Sequence, residues 1–588
     1  MQKMKILIKS FLSLFAIMHI SSMSTKNPLS LLLFIVFIYV FSRLHTPKAE
    51  GNIGVIDPYI AGVVSGLFSI FTISAKYHTI LGGLENKLFC LVILLLSFLG
   101  FLTIYYYLMI WLLQICEHIN IQGNYYAPLW IPIATVFICM LCWLPYFLYE
   151  YPGVMTPDSI NQYAQIIGAY ELSNHHSVVH TMMISFFYNI GLNISGSATF
   201  GIALYTLFQM ILMSITAGMV IRTLQCACVK NIIIIVAIVF YAITPYNAIL
   251  AVTVWKDIPF SCFLTIFVAS LIRLLIRPGV TGPTSVNTRL KPFEYFTIII
   301  PYIISGIMIS LLRTNGWYAF CISLPFILWV YRAAWKALIP MNICILVIVI
   351  FVKVPLMNIY EIKQADFAES ISIPAQQLAR VVVDGGRLNE AQLEYLNKIM
   401  DVSKITKVYQ PDVSDNIKNL IRQTGLDYLE SNKSEFFKNW LSIGINNKKS
   451  YFDAFVDQTN GYWYPDIEYE VGLADGIYDN EFGLSWQPVI AGNAMVKIRE
   501  ILFKLSEMIP LYGLLWSIGG IFWLIIVTCA LCIRKGPIAN MITALPLIAL
   551  MLTLCIASPV AGEFRYAYAL FYSLPLTLVI PFINPQKW

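Results

Sequence analysis

The chain has 588 residues, 58% hydrophobic and only 12% charged, with a mean hydropathy of +0.72. A water-soluble domain carries about twice that share of charge, and a formal charge of +6 held in short loops is not the footprint of a nucleic-acid binder. Apolar runs long enough to cross a bilayer recur from end to end, so the expected class is an all-α polytopic membrane protein.

The first apolar run, from Lys5 to Ile20, has no small-x-small cleavage site after it and is followed at once by another, so it reads as a retained helix. Lys3, Lys5 and Lys9 orient the N-terminus to the cytoplasm, and Arg43 and Lys48 orient the second loop there. The strongest signal is the polar loop 273–291, where Arg273, Arg277, Arg289 and Lys291 accompany Gly279, Gly282 and Pro283; it is assigned to the inside. Alternation from that loop puts Trp255-Lys256-Asp257 and Arg313-Thr-Asn-Gly316 outside, Arg332 and Lys336 inside, and residues 355–505 outside. Arg534-Lys535 then falls inside, Glu563-Phe-Arg565 outside and Lys587 inside.

Residues 178–194 are apolar, but counting them as a span breaks this alternation, and they carry His180 and Asn189; they are expected to lie in the outer interface. The total is about 14 spans with both termini cytoplasmic. Lys76 and Lys87 fall on the outer side, against the positive-inside rule. Four parts follow: N-terminal transmembrane helices 1–127, a transmembrane module 128–354 with its first outer loop at 150–196, a soluble extracytoplasmic domain 355–505, and C-terminal transmembrane helices 506–588.

The extracytoplasmic domain is expected to be mainly helical, with amphipathic stretches at 376–383, 389–400, 415–429 and 434–445, then a loop through Tyr462-Trp-Tyr-Pro-Asp466 to Gly483. None of the 12 cysteines falls in it, so it folds without disulfides, which disfavours an oxidising secretory lumen. Cys226-x-Cys228 has metal-like spacing but no partner pair, and reads as an ordinary helix end.

Candidate chemistry gathers on the outer side. Pro152, Gly153 and Pro157 break the chain after the span 128–148, and Asp158 follows among Ser159, Asn161 and Gln162. A carboxylate held at the membrane rim by a stiff turn suits a general base; it equally suits an N-cap for residues 159–167. In Asn174-His-His-Ser-Val-Val-His180, His176 and His180 are spaced i, i+4, which admits a divalent metal or a polar helix face, with no third ligand in view. Lys256, Arg313 and Arg565 are cations at outer span ends, beside Asp257 and Glu563. Snorkelling anchors are one reading and a substrate path the other.

The run Pro152-Gly-Val-Met-Thr-Pro-Asp158-Ser, followed by His175-His-Ser-Val-Val-His180, resembles the GT-C glycosyltransferases, the superfamily of protein mannosyltransferases and lipid A aminoarabinose transferases. That superfamily has an acidic residue in the first outer loop, then a His-Pro-Pro or Lys-Pro-Pro segment; here Ser177-Val178 stands where the two prolines would be. With Leu312-Arg-Thr-Asn-Gly316, Ile373-Pro-Ala-Gln-Gln-Leu-Ala-Arg380 and Gly562-Glu-Phe-Arg-Tyr-Ala-Tyr568, the chain is most similar to a bacterial branch, over about residues 128–580.

The resemblance implies a GT-C-like core and an inverting transfer of sugar from a polyprenyl-phosphate lipid to a cell-envelope glycan or lipid acceptor on the outer face. Asp158 would be the base, and Arg313, Arg565 and Lys256 the donor-phosphate ligands. His175, His176, His180, Gln162, Asp257 and Glu563 would contact substrate, and Tyr462, Trp463 and Tyr464 would either stack on sugars or form a hydrophobic cluster. No organic cofactor is implied. The rival class is a transporter or flippase of a lipid-linked saccharide, for which polar mid-membrane residues and internal repeats would speak.

Overall fold

The computed structural model describes residues 2–44, 54–123, 127–277, 295–467, 469, 471, 474–536, 538–558 and 560–583. Lys48, Arg289, Lys291 and Lys587, used above for orientation, lie outside the described residues. Among the described residues every regular element is helical, and β-type pairing is confined to isolated bridges.

Among the described residues seven helices are long and apolar enough to cross a membrane: Asp57–Leu81, Lys87–His118, Trp130–Tyr149, Ala198–Cys226, Asp257–Leu275, Arg332–Ile359 and Ile518–Lys535. Four shorter apolar helices accompany them: Leu29–Leu44, Phe296–Leu312, Thr314–Val330 and Leu545–Ala557. Several apolar runs that the sequence offers as single spans are divided. The run 231–252 forms Asn231–Ile243 and Pro245–Ala251, bent by 51° where Pro245 opens the second piece. The run 508–533 is cut into Pro510–Leu514 and Ile518–Lys535, and the final run breaks at Ser573, ahead of Pro575, leaving Phe564–Tyr572 with 9 residues. Val178–Ser195 is a helix but is not among those apolar enough to span.

The chain forms two compact units. One comprises Met1–Asn120 with Trp523–Pro537, and the other Ile121–Phe522 with Ile538–Trp588. In the first, Phe68 stacks on Trp523 at 4.0 Å, and Arg534 binds Asp57 at 2.7 Å and Glu117 at 2.9 Å. Gly100 lets Lys87–His118 pass close to Gln2–Ile20, since a Cβ there would sit 2.2 Å from the Leu12 carbonyl oxygen.

The second unit is built around Asp257–Leu275, 89% buried over its apolar window, against which Ala198–Cys226, Ile300–Leu312 and Phe564–Tyr572 pack. Its polar portion is helical as the amphipathic pattern predicts: Ser372–Val383, Glu390–Ile399, Asp415–Thr424 with Leu426–Ser431, and Lys433–Asn446. Their apolar faces share one core containing Leu378, Leu396, Ile421, Phe436 and Ile443. A helix absent from the sequence reading, Lys448–Trp463, closes that layer; the aromatic run therefore ends a helix instead of lying in a loop.

Of the bridges that tie distant segments together, three bear on the site. Val154 pairs with Thr253 and Met155 with Ile477, so residues 150–156 are clamped between two strand-like stretches. Val413 pairs with Val560, fixing the polar helices to the segment before Phe564–Tyr572.

Candidate functional site

Asp158 sits in the first turn of Pro157–Ile166, whose N-cap is Thr156. It is thus not the N-cap that the sequence also allowed, although a carboxylate in a first turn is still favoured by the helix dipole. The turn before it is set by Gly153, at φ 140°, where a Cβ would lie 2.4 Å from Thr206 Oγ1. The Val154 amide donates to Val252 O at 2.9 Å and Met155 to Gly476 O at 2.9 Å. Trp255 Nε1 donates to Thr156 Oγ1 at 2.8 Å, and the Ser159 hydroxyl donates to Val254 O.

The outer cations and carboxylates converge as ion pairs. Arg565, entering from Phe564–Tyr572, places Nη1 2.7 Å from Asp158 Oδ2. Its Nε lies 3.4 Å from Glu563 Oε1 without hydrogen-bond geometry and is a buried donor with no acceptor among the described residues. Arg313, extended between Ile300–Leu312 and Thr314–Val330, pairs with Asp257. The Tyr566 ring lies beneath both guanidiniums, 4.2 Å from Arg313 and 5.3 Å from Arg565, and Trp255 lies 4.5 Å from Arg565. Burial alone would raise the Asp158 carboxyl, but Arg565, His176 and Lys256 outweigh it and hold it at about 2. Burial, together with Asp257 and Asp158, raises Glu563 against the pull of Arg565 and Arg313.

Beside these pairs lies a cleft of about 130 Å³ lined by Asn174, His175, Ser177, Lys256, Arg313 and Lys353, among others. Lys256, at the N-cap of Asp257–Leu275, and Lys353, over the Trp317 ring at 5.3 Å, have no carboxylate within salt-bridge distance among the described residues. Lys353 escaped the sequence reading, although it ends the apolar run 337–354 on the side assigned outside, the same signal that picked out Lys256.

The histidines separate. His180 is fully buried, its Nδ1 2.9 Å from Gln162 Oε1 and its Nε2 2.6 Å from Tyr205 Oη. Both ring nitrogens are engaged, so the i, i+4 pair with His176 is not a metal-ligand pair. Gln162 also donates to Thr181 Oγ1 at 2.9 Å, which makes Gln162 and His180 scaffold beneath the site. No group of three His, Cys, Asp or Glu side chains suited to a metal occurs among the described residues. His176 is lowered to about 3 by burial and by Lys256, so it is neutral at ordinary pH. His175 lines the cleft and lies 3.9 Å from Glu369 of the polar portion. Tyr462, Trp463 and Tyr464 are buried, with Tyr462 Oη bonded to Ser558 at 2.7 Å, so they form a core under the 558–563 segment and do not offer faces to a sugar.

The segment 474–478 is a second feature without a clear sequence signal. It pairs with Met155, and its Gly476 amide donates to Glu150 at 2.7 Å. Asp475 beside it is bound by both Arg499 Nη atoms, one at 2.9 Å. Burial, reinforced by Asp475, pushes Glu150 up to about 8.

No curated protein and no solved structure matches the chain. A family model matches residues 167–587, a stretch that takes in His175, His180, Lys256, Arg313, Lys353 and Arg565 and begins after Asp158. The chain belongs to that family, described as a family of unknown function (DUF6020).

Proposed function

We propose that the protein is an inverting membrane glycosyltransferase of the GT-C type, moving a sugar from a polyprenyl-phosphate lipid to a cell-envelope acceptor at the outer face of the cell membrane. The observation that carries the reading is a cleft lined by Lys256, Arg313 and Lys353, with the Arg565–Asp158 ion pair beside it, joined to Arg313 through the shared Tyr566 ring and to Lys256 by charge. In the transfer, an acceptor hydroxyl oxygen attacks the anomeric carbon, the bond from that carbon to the phosphate oxygen breaks, and the hydroxyl proton passes to a base. Asp158 is that base, and the leaving lipid phosphate needs cations.

The division of labour differs from the simplest expectation. Arg313 and Arg565 are already neutralised by Asp257 and Asp158, so the donor phosphate first meets Lys256 and Lys353 in the cleft. The free Nε of Arg565 then offers it a further donor. As Arg565 turns toward phosphate, its hold on Asp158 loosens and the carboxylate becomes a stronger base.

The membrane arrangement of this reading has about 14 spans with both termini cytoplasmic. The bent pair, the four shorter apolar helices, Gln2–Ile20 and the terminal helices join the seven long ones. Residues 355–505 are then extracytoplasmic and cover the cleft, with Glu369 meeting His175. The second reading, a flippase for a lipid-linked saccharide, draws on the 51° break in 231–251, since broken spans line transport paths.

The deciding experiment incubates purified protein in liposomes with a panel of radiolabelled polyprenyl-phosphate sugars and an outer-membrane or cell-wall acceptor extract. Release of polyprenyl phosphate with label in the acceptor supports transfer. Movement of intact labelled lipid between leaflets, with no release, supports the flippase.

A further inference from the structure

Away from the cleft, a groove of about 560 Å³ runs between Val402–Val408 and Asp415–Thr424, lined by Lys404, Lys407, Gln410, Asn416, Asn419 and Gln423. No carboxylate lines it. Asn416, Asn419 and Gln423 repeat at i, i+3 and i+7 along one helix face, presenting a row of amides. Asn416 gives its Nδ2 to Val408 O at 3.0 Å and Asn419 Oδ1 accepts from Arg422 Nη1 at 2.8 Å, so the row turns an acceptor from Asn416, a donor from Asn419 and both from Gln423 to the groove, a pattern that vicinal sugar hydroxyls complement. Lys404 has Asp401 at 3.0 Å, whereas Lys407 has no carboxylate within salt-bridge distance among the described residues, which leaves the groove electropositive.

The same helix is bonded on its other face. Lys418 reaches Glu369 at 2.8 Å and Arg422 reaches Asp366 at 2.7 Å, while Glu369 lies against His175 of the cleft. At the groove's end, residues 410–413 turn so that Val413 pairs with Val560 and the Asp412 carbonyl accepts from Ala561 N at 2.8 Å. That stretch leads directly into Glu563 and Arg565. The groove is therefore joined to the cleft through Glu369 on one side and through 560–565 on the other.

We infer that the groove binds an anionic oligosaccharide, its hydroxyls on the amide row and its acid groups on Lys407 and Lys404. This deepens the transferase reading by naming the acceptor's chemical class, and it rests on that reading only for the word acceptor. Binding itself is independent of transfer.

The test titrates full-length protein in lipid nanodiscs, without any lipid donor, with a galacturonic acid hexamer and with neutral maltohexaose, by calorimetry. A protein that transfers nothing still reports on the groove, so failure of the two readings is distinguishable. The uronate is expected to bind, more weakly as salt is raised, and maltohexaose at least about tenfold more weakly, the loss of one charge-assisted contact. Lys407→Glu and the pair Asn419→Ala with Gln423→Ala are each expected to weaken uronate binding by about tenfold or more, with unchanged thermal stability because these side chains are exposed. No uronate binding, equal binding of maltohexaose, or binding indifferent to both variants overturns the proposal.

Discussion

Arg565 holds Asp158 at 2.7 Å across 407 residues of chain, and the same guanidinium keeps its Nε buried with no acceptor among the described residues. The pair thus contains both a satisfied and an unsatisfied half. A carboxylate held at about 2 by its cation is fully ionised at any working pH but is a poor proton acceptor until the cation is drawn off. Asp158→Asn is expected to lower transfer by about 10²–10⁴-fold while the purified protein stays folded. Near-normal turnover in the labelled-sugar assay would reduce Asp158 to a structural partner of Arg565.

The cleft lysines are expected to matter more for donor affinity than Arg313 does. Lys353→Ala and Lys256→Ala should each weaken binding of a polyprenyl-phosphate sugar by about tenfold or more, the loss of one charge-assisted contact. Arg313→Lys, still paired with Asp257, should change affinity little. Equilibrium binding of labelled lipid in detergent separates these, and the opposite ranking would return the phosphate to Arg313.

Glu150 gives a pH dependence of stability. Its folded pKa is raised to about 8 from the ordinary 4.5, so the folded state binds the extra proton between those values. Its contribution to stability is fully present below pH 4.5 and is lost as pH rises through about 8. Glu150→Gln keeps an acceptor for the Gly476 amide but cannot ionise. Thermal unfolding of the variant should be flatter than wild type across that window; parallel curves would place the titration elsewhere.

Gly153→Ala tests the turn that aims Asp158. An L-residue at φ 140° is strained, and its Cβ would press on Thr206 and on the Val252 carbonyl, 3.2 Å away. A cost of about 1–3 kcal/mol is expected, read as a lower unfolding temperature together with reduced transfer. Unchanged values in both would mean that the clamp from Val252 and Gly476 positions Asp158 unaided.

The topology is open to direct labelling. Cysteine at Lys438, exposed on Lys433–Asn446, should react with an impermeant maleimide in intact cells, above the background of the 12 native cysteines. Reaction only after lysis would place the polar portion, and the site beneath it, in the cytoplasm.

What the sequence made legible follows from period and punctuation. The polar helices were readable because apolar residues such as Leu396 and Met400 recur at helical spacing against charged neighbours, and because Asn389 marks a start. Asp158, Lys256, Arg313 and Arg565 stood out as charges at the ends of apolar runs, and all four gather at the site. Their partners were not readable: no local pattern tells Arg313 to take Asp257, or Arg565 to reach Asp158, because the first pairing is made by packing Ile300–Leu312 onto Asp257–Leu275 and the second also needs the bridges that hold Val154 and Met155. His180 looked chemical for the same lack of context, since its engagement by Tyr205 depends on a neighbouring helix. Span lengths misled where Pro245, Pro510 and Pro575 sit inside apolar runs, because hydropathy sums over a break that the backbone does not.

The chain breaks between Asn231–Ile243 and Pro245–Ala251, inside an apolar run. A helix interrupted within an apolar run frees carbonyl oxygens, and where these face an open path they are what a coupling sodium ion binds. Here Asn247 Nδ2 donates to both Phe240 O at 3.1 Å and Tyr241 O at 3.2 Å, and its own Oδ1 is taken by Tyr568 Oη at 2.7 Å. The gap is plugged by an amide from its own chain and sealed by a phenol from another helix. Those two oxygens are spent within the protein, and the bend is locked by side chains of two helices.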